Sequence, residues 1–130
     1  ILFLIGSFGA SAVLLYETPV VPLAQHRNLI GGHILSALTG VMMYGWIAEP
    51  LYLLGALSVA TAIAVMHLTK TTHPPGGATS LIAVIGSERV HQLGFLYVLS
   101  PVALGALIML LVALIVNNLT SFRRYPVFWW

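Results

Sequence analysis

Thr71-Thr72-His73-Pro74-Pro75-Gly76-Gly77-Ala78-Thr79-Ser80 interrupts an otherwise apolar chain, and its reading decides what kind of fold surrounds it. Two prolines fix an extended approach and suit the first turn of a helix. Two glycines let a backbone or a ligand come close. Small residues with hydroxyls follow, opening the apolar run Ala78 to Gly86. That run is expected to form a broken or half-length helix. At membrane depth such irregular backbone is tolerated only where protein or a water-filled cavity satisfies it.

The chain on either side supplies the membrane context. Ile30 to Ala48, Pro50 to Thr69 and Leu93 to Val116 are apolar windows without a formal charge, each near the ~20 residues that cross a bilayer core. Glu49-Pro50 reads as a tight turn between the first two. Over the whole chain 59% of residues are hydrophobic and only 6% charged, against about 25% charged in a soluble domain. The mean hydropathy of +1.01 agrees. The expected fold is an all-α membrane protein, residues 1–130 forming one small bundle of transmembrane helices. Its environment is the lipid bilayer. Five basic residues among 130 are no footprint for nucleic acid, and without cysteine there is no disulfide, thiol nucleophile or thiolate metal site. A chain this short makes a homo-oligomer plausible.

A second interrupted run, Ile1 to Tyr16, carries Gly6-Ser7-Phe8-Gly9 in its middle. Its phrase Gly9-Ala10-Ser11-Ala12-Val13-Leu14 aligns with Gly77-Ala78-Thr79-Ser80-Leu81-Ile82 position by position. Paired interruptions in two halves of a chain point to the binding site of a transporter built from repeats. The plainer reading is that small residues recur in membrane helices for close packing.

Charge orders the segments across the bilayer. If the second broken run spans the membrane, Arg27, Lys70, Arg123 and Arg124 share one side and Arg89 stands alone on the other. If it is a re-entrant loop, Arg27, Lys70 and Arg89 face Arg123 and Arg124. The positive-inside rule prefers the first arrangement, which makes the halves inverted repeats with the C-terminus in the cytoplasm. The expected host is a bacterial plasma membrane. Ile1 as first residue is the expected mark of a chain that begins within a longer one.

A helix start has free N–H groups and a positive dipole end, which together favour an anion. The starts expected at Gly9-Ala10-Ser11 and at Gly76-Gly77-Ala78-Thr79 would hold a small inorganic anion between them without a buried formal charge. A capped break that only shapes the fold is the alternative. His33, inside an apolar helix after Gly31-Gly32, must face protein or a cavity. It could donate to a substrate, move a proton, or bond a neighbouring helix. His73 is the strongest site candidate of the histidines; His67 reads as interfacial with Lys70, and His26 and His91 as loop residues. His67 and His73 are six apart, on different helix faces, so no metal site is expected, and no cofactor. No paired carboxylate and no Ser/His/Asp set can be read from the spacing, which argues against an enzyme. Asn117-Asn118 reads as a helix cap, and Tyr125, Trp129 and Trp130 beside Arg123-Arg124 as an interfacial anchor.

The motif at His73-Pro74-Pro75 resembles the signature of the HPP family of membrane proteins. Gly6-Ser7-Phe8-Gly9-Ala10-Ser11-Ala12-Val13-Leu14-Leu15, Pro22-Leu23-Ala24-Gln25, Arg27-Asn28-Leu29-Ile30-Gly31-Gly32-His33 and Val116-Asn117-Asn118-Leu119 resemble further phrases of that family, in family order. The resemblance implies four transmembrane helices, with the three full windows as the second to fourth and the first expected upstream of Gly6. It also implies nitrite as a substrate, since some members are associated with nitrite transport. The expected function is a transporter or channel for a small inorganic anion. A non-transporting assembly or regulatory module is the rival.

Overall fold

A computed structural model describes residues 4–129, and all regular structure among them is helical. Helix α1 spans Gly6–Glu17, α2 His26–Trp46, α3 Leu51–Leu68, α4 Pro74–Ile85, α5 Glu88–Leu93 and α6 Leu104–Asn118. A 3-10 turn at Pro22–Ala24 leads into α2, and a π-helical segment at Val98–Ala103 leads into α6. His26–Trp46, Leu51–Leu68 and Val98–Asn118 are each long and apolar enough to cross a membrane. At 1.5 Å per residue, the 12-residue α1 and α4 reach only about 18 Å. They are the two half-length helices that the Gly/Pro interruptions predict. Residues 1–3 of the first run lie outside the described residues.

The window boundaries shift for local reasons. Helix α2 starts four residues before Ile30, at His26, because a helix carries its interfacial Arg27 where a hydropathy window stops. Helix α4 starts at Pro74, with both prolines in the first turn, where a missing N–H costs nothing. The third window does not form one helix from Leu93. Gly94 takes a left-handed φ of 51° and ends α5, and the next turns are broken at Ser100 (φ −141°, ψ 120°) before Pro101. Lys70 also adopts a left-handed φ, 56°, where the chain leaves α3 and turns inward toward His73.

Contacts fix the helix directions. Gly32 meets Thr71 and His73, Gly76 meets Ser36, and Gly40 meets Ser80 and Ala83, so α2 and α4 run parallel. Missing side chains allow this approach: a Cβ on Gly40 would sit 2.5 Å from the Ser80 carbonyl oxygen. Helix α3 runs against both, its Ser58 Oγ 2.6 Å from Ser80 Oγ and its Met66 beside Gly32 and Gly76. Helix α1 opposes α4, pairing Ser7 with Thr79 and Ser11 with His73. It runs parallel to α6, with Phe8 on Gly105 and Leu15 held by Asn117. Thus α1–α2 and α4–α6 traverse the bundle in opposite senses, as an inverted repeat requires.

The basic residues divide accordingly. Arg27 donates to the Thr69 carbonyl beside Lys70 (3.1 Å), Arg123 to the Tyr16 carbonyl (2.7 Å) and the Tyr125 hydroxyl to the Ala24 carbonyl (2.8 Å). One end of the bundle therefore gathers Arg27, Lys70 and the C-terminal segment. Arg89 lies on α5 at the other end, where the neighbouring His91 stacks on Tyr44 at 3.9 Å. Outward-facing Leu57, Ile63, Leu107, Leu111 and Ile115 are exposed, which suits contact with lipid.

Candidate functional site

Where α1, α2 and the start of α4 meet, five polar side chains are buried together: Ser7, Ser11, His33, His73 and Thr79. Ser7 and Ser11 are four apart and share one face of α1. His33 turns inward on α2 directly after Gly32, the residue against which His73 packs. His73 precedes a proline, which favours extended backbone. Its φ of −138° and ψ of 102° carry the imidazole off the helix start and toward α1. Thr79 lies one and a half turns further along α4.

The hydrogen bonds form one connected set. Ser11 Oγ lies 2.7 Å from His33 Nε2 and 2.8 Å from His73 Nε2. Thr79 Oγ1 lies 2.7 Å from His33 Nδ1 and 2.8 Å from Ser7 Oγ. The far end is anchored in the loop between α1 and α2, where His73 Nδ1 donates to the Leu23 carbonyl at 2.8 Å. The imidazoles meet edge to face at 5.0 Å between centroids, and Phe8 covers His33 at 5.3 Å. Tyr97 donates to the Thr79 carbonyl at 3.1 Å. No carboxylate, lysine or arginine is bonded to either ring among the described residues. In so apolar a setting each bond counts for more than in water, and an unpaired group would cost more.

Of the residues singled out by sequence, Ser11, His33, His73 and Thr79 converge here. Gly76 lies behind them as a packing residue, since a Cβ there would come within 2.7 Å of Ser36 Oγ. Gly77 and Ala78 face the other way, into an apolar groove of about 450 Å³ shared with Val59, Ile63 and Leu81. Gly9 and Ala10 are exposed on the outer side of α1. Two expectations therefore need correction. Gly9-Ala10-Ser11 is not a helix start, because α1 already begins at Gly6. The start of α4 also has few free amides: Pro74 and Pro75 have no N–H, and the Gly76 N–H donates to the His73 carbonyl at 2.8 Å. The available donors are side chains.

Ser7, Tyr97 and the Leu23 carbonyl are members of this cluster that sequence reasoning missed. Ser7 had a signal, its four-residue spacing from Ser11; the other two had none. Several smaller readings also change. His91 is helical and bonded to the Val84 carbonyl at 3.0 Å, and His26 is the first residue of α2. Tyr125 is buried, while Trp129 packs against His26 with the rings tilted and their centroids 4.8 Å apart; Trp130 lies outside the described residues. Asn118 does close α6, accepting from the Tyr125 N–H at 3.0 Å and donating to the Leu114 carbonyl at 2.8 Å. Asn117 instead reaches α1, donating to the Leu15 carbonyl at 2.9 Å.

Beside the Leu23 end of the cluster, Gln25, His26, Arg27, Asn28, Lys70 and Phe128 line a cavity of about 270 Å³. Asn28 donates to the Thr72 carbonyl at 2.7 Å, which ties this basic mouth to the segment holding His73.

The sequence profile of the HPP transmembrane region matches residues 1–126. The chain belongs to the HPP family. Two Dictyostelium discoideum relatives, each described as a transmembrane protein, are 52% identical over 99% of this chain and 48% identical over 98% of it. The chain spans 42% and 45% of their lengths, less than half in each case. No solved structure matches it. The HPP motif itself is the proline start of α4, with His73 as its first, inward-turned residue.

Proposed function

We propose that this HPP domain is a transporter or channel for a small inorganic anion, with nitrite as the substrate suggested by family resemblance. The observation that carries this reading is the buried imidazole and hydroxyl cluster at the meeting of two opposed half-helices. Ionisable groups at membrane depth are costly and mark substrate or proton paths by default. Here they bring N–H and O–H donors with no carboxylate to repel an anion. Broken helices facing each other across an inverted repeat are the usual setting of a transporter site. The mouth lined by Arg27 and Lys70 would raise the local anion concentration beside His73.

The same reading places the C-terminus in the cytoplasm, since the end that gathers Arg27, Lys70, Arg123 and Arg124 is the more basic. It assigns the chain no catalytic step: Ser11 meets an imidazole on each side, but His73 is oriented by a backbone carbonyl and not by a carboxylate. The bilayer, or in part a second copy, would cover the outward apolar surface.

One observation favours a non-transporting assembly module. The cluster satisfies its own hydrogen bonds, and Gly32, Gly40 and Gly76 act in helix packing. Nitrite uptake by liposomes containing the purified full-length protein separates the two readings. Uptake well above protein-free liposomes supports transport. Uptake at the protein-free level, from protein that remains folded, favours the module.

A further inference from the structure

The cavity of about 270 Å³ beside Leu23 gathers charge as well as space. Arg27 spends one donor on the Thr69 carbonyl at 3.1 Å, which holds its guanidinium near Lys70 and leaves its other donors unspent among the described residues. Lys70 has a left-handed φ of 56°, a backbone that glycine would take more readily. The lysine there brings an ammonium group to the cavity wall. His26 lines the same cavity, and its Nδ1 is buried without a hydrogen-bond partner. None of the described lining residues is acidic.

The backbone beneath these side chains adds donors. Helix α2 has no side-chain cap, and its first backbone bond runs from the Leu29 N–H to the Gln25 carbonyl at 2.9 Å. The N–H groups of His26, Arg27 and Asn28 therefore stay free among the described residues. The amides that two prolines remove from the start of α4 are present here, at the positive end of a 21-residue helix. Gln25 fixes the rim. Its Nε2 donates to the Pro19 and Val21 carbonyls, and its Oε1 accepts from the Val127 N–H at 2.8 Å, next to Phe128 in the cavity wall.

We propose that this cavity is a binding site for a phosphate group, carried on an anionic phospholipid or free in solution. A phosphate offers several strong acceptor oxygens. The planar fork of Arg27 matches two of them, Lys70 supplies a point charge, and the free amides of α2 with the His26 Nδ1–H serve the rest. Basic pockets between transmembrane helices on the cytoplasmic side suit lipid headgroups, and that is the side proposed above for this end. Phe128 in the wall and Trp129 against His26 give the cavity an aromatic edge, as at a membrane interface. The inference goes beyond nitrite transport and does not need it. Where both hold, a bound phosphate neutralises the mouth and opposes nitrite capture.

The test measures binding to purified full-length protein labelled with ¹⁵N-histidine, in neutral detergent micelles at fixed pH and ionic strength, without nitrite. A His26→Gln sample assigns the His26 ring signals. The probes are dioctanoyl phosphatidic acid, inorganic phosphate, and oleate, which charges the micelle without a phosphate. Phosphatidic acid should move the His26 signals saturably, and oleate should not. Inorganic phosphate separates the sources: the same saturable movement marks a site open to free phosphate, and its absence marks a site for lipid. Lys70→Gln and Arg27→Gln should each weaken binding about fivefold or more, while Arg124→Gln, outside the lining, should leave it unchanged. Equal movement with oleate, an equal loss in Arg124→Gln, or no saturable movement with either phosphate probe would overturn the site. Saturable binding by protein that moves no nitrite would keep this site and remove only the transport reading.

Discussion

Ser11 and Thr79 are equivalent in their grip on one imidazole, each placing a hydroxyl 2.7 Å from a different ring nitrogen of His33. They are also the aligned hydroxyl residues of the two repeated phrases. The repetition in the sequence thus has a spatial counterpart: two opposed half-helices close on His33 from two sides.

Thr79→Val keeps the shape of this contact and removes its hydroxyl, leaving His33 Nδ1 without a partner. A buried polar group unpaired in this way costs about 1–3 kcal/mol. Thr79→Ser should cost far less. Denaturant titration in detergent micelles would measure both, and equal stability of the valine and serine variants would show that the bond does not matter to the fold.

The glycines separate packing from function. Gly40→Ala pushes a methyl against the Ser80 carbonyl at 2.5 Å and should destabilise by about 1–3 kcal/mol. Gly9→Ala meets nothing within 4 Å. In a helix interior it should be neutral or stabilise by up to about 1 kcal/mol, with nitrite uptake per folded molecule unchanged. A large loss of uptake in Gly9→Ala would return that face of α1 to the site.

Much of this architecture is legible in the sequence because hydropathy and Gly/Pro interruptions report directly on span length. The spans, the half-helices and the gathering of Arg27 with Lys70 follow from those signals. Four site residues are legible for a different reason: a buried polar side chain in an apolar helix has to find a partner. Which face of a short helix turns inward is not written in composition, so Gly9, Ala10, Gly77 and Ala78 stood beside Ser11 and Thr79 as equal candidates. The Gly76 amide is spent because two prolines precede it, a consequence that needs the helix to start at Pro74. The Leu23 carbonyl leaves no side-chain signal at all.

Topology can be read with single cysteines, since the chain has none of its own. Cysteines at positions 70 and 124 should react with an impermeant reagent from the same side, and one at position 89 from the opposite side. Labelling of positions 70 and 89 together would require α4 to turn back within the membrane.

The basic mouth predicts a salt-sensitive effect on substrate capture. Lys70→Gln should raise the KM for nitrite and leave the maximal rate near its original value. The effect should shrink at high ionic strength, where exposed charges are screened. Arg124→Gln, outside the cavity lining, is the comparison and should leave KM unchanged. Equal effects of the two substitutions would reduce the mouth to a general surface potential.

The central claim is that the anion engages the imidazoles of His33 and His73, and nitrogen NMR of ¹⁵N-histidine-labelled full-length protein in lipid nanodiscs tests it most directly. His33→Gln and His73→Gln samples assign their signals among the histidines, five of which lie in this chain. Titration with nitrite should move the ring signals of His33 and His73 together and saturably, leaving His67 and His91 in place. Saturating nitrite that leaves both pairs of ring signals where they were would contradict the account.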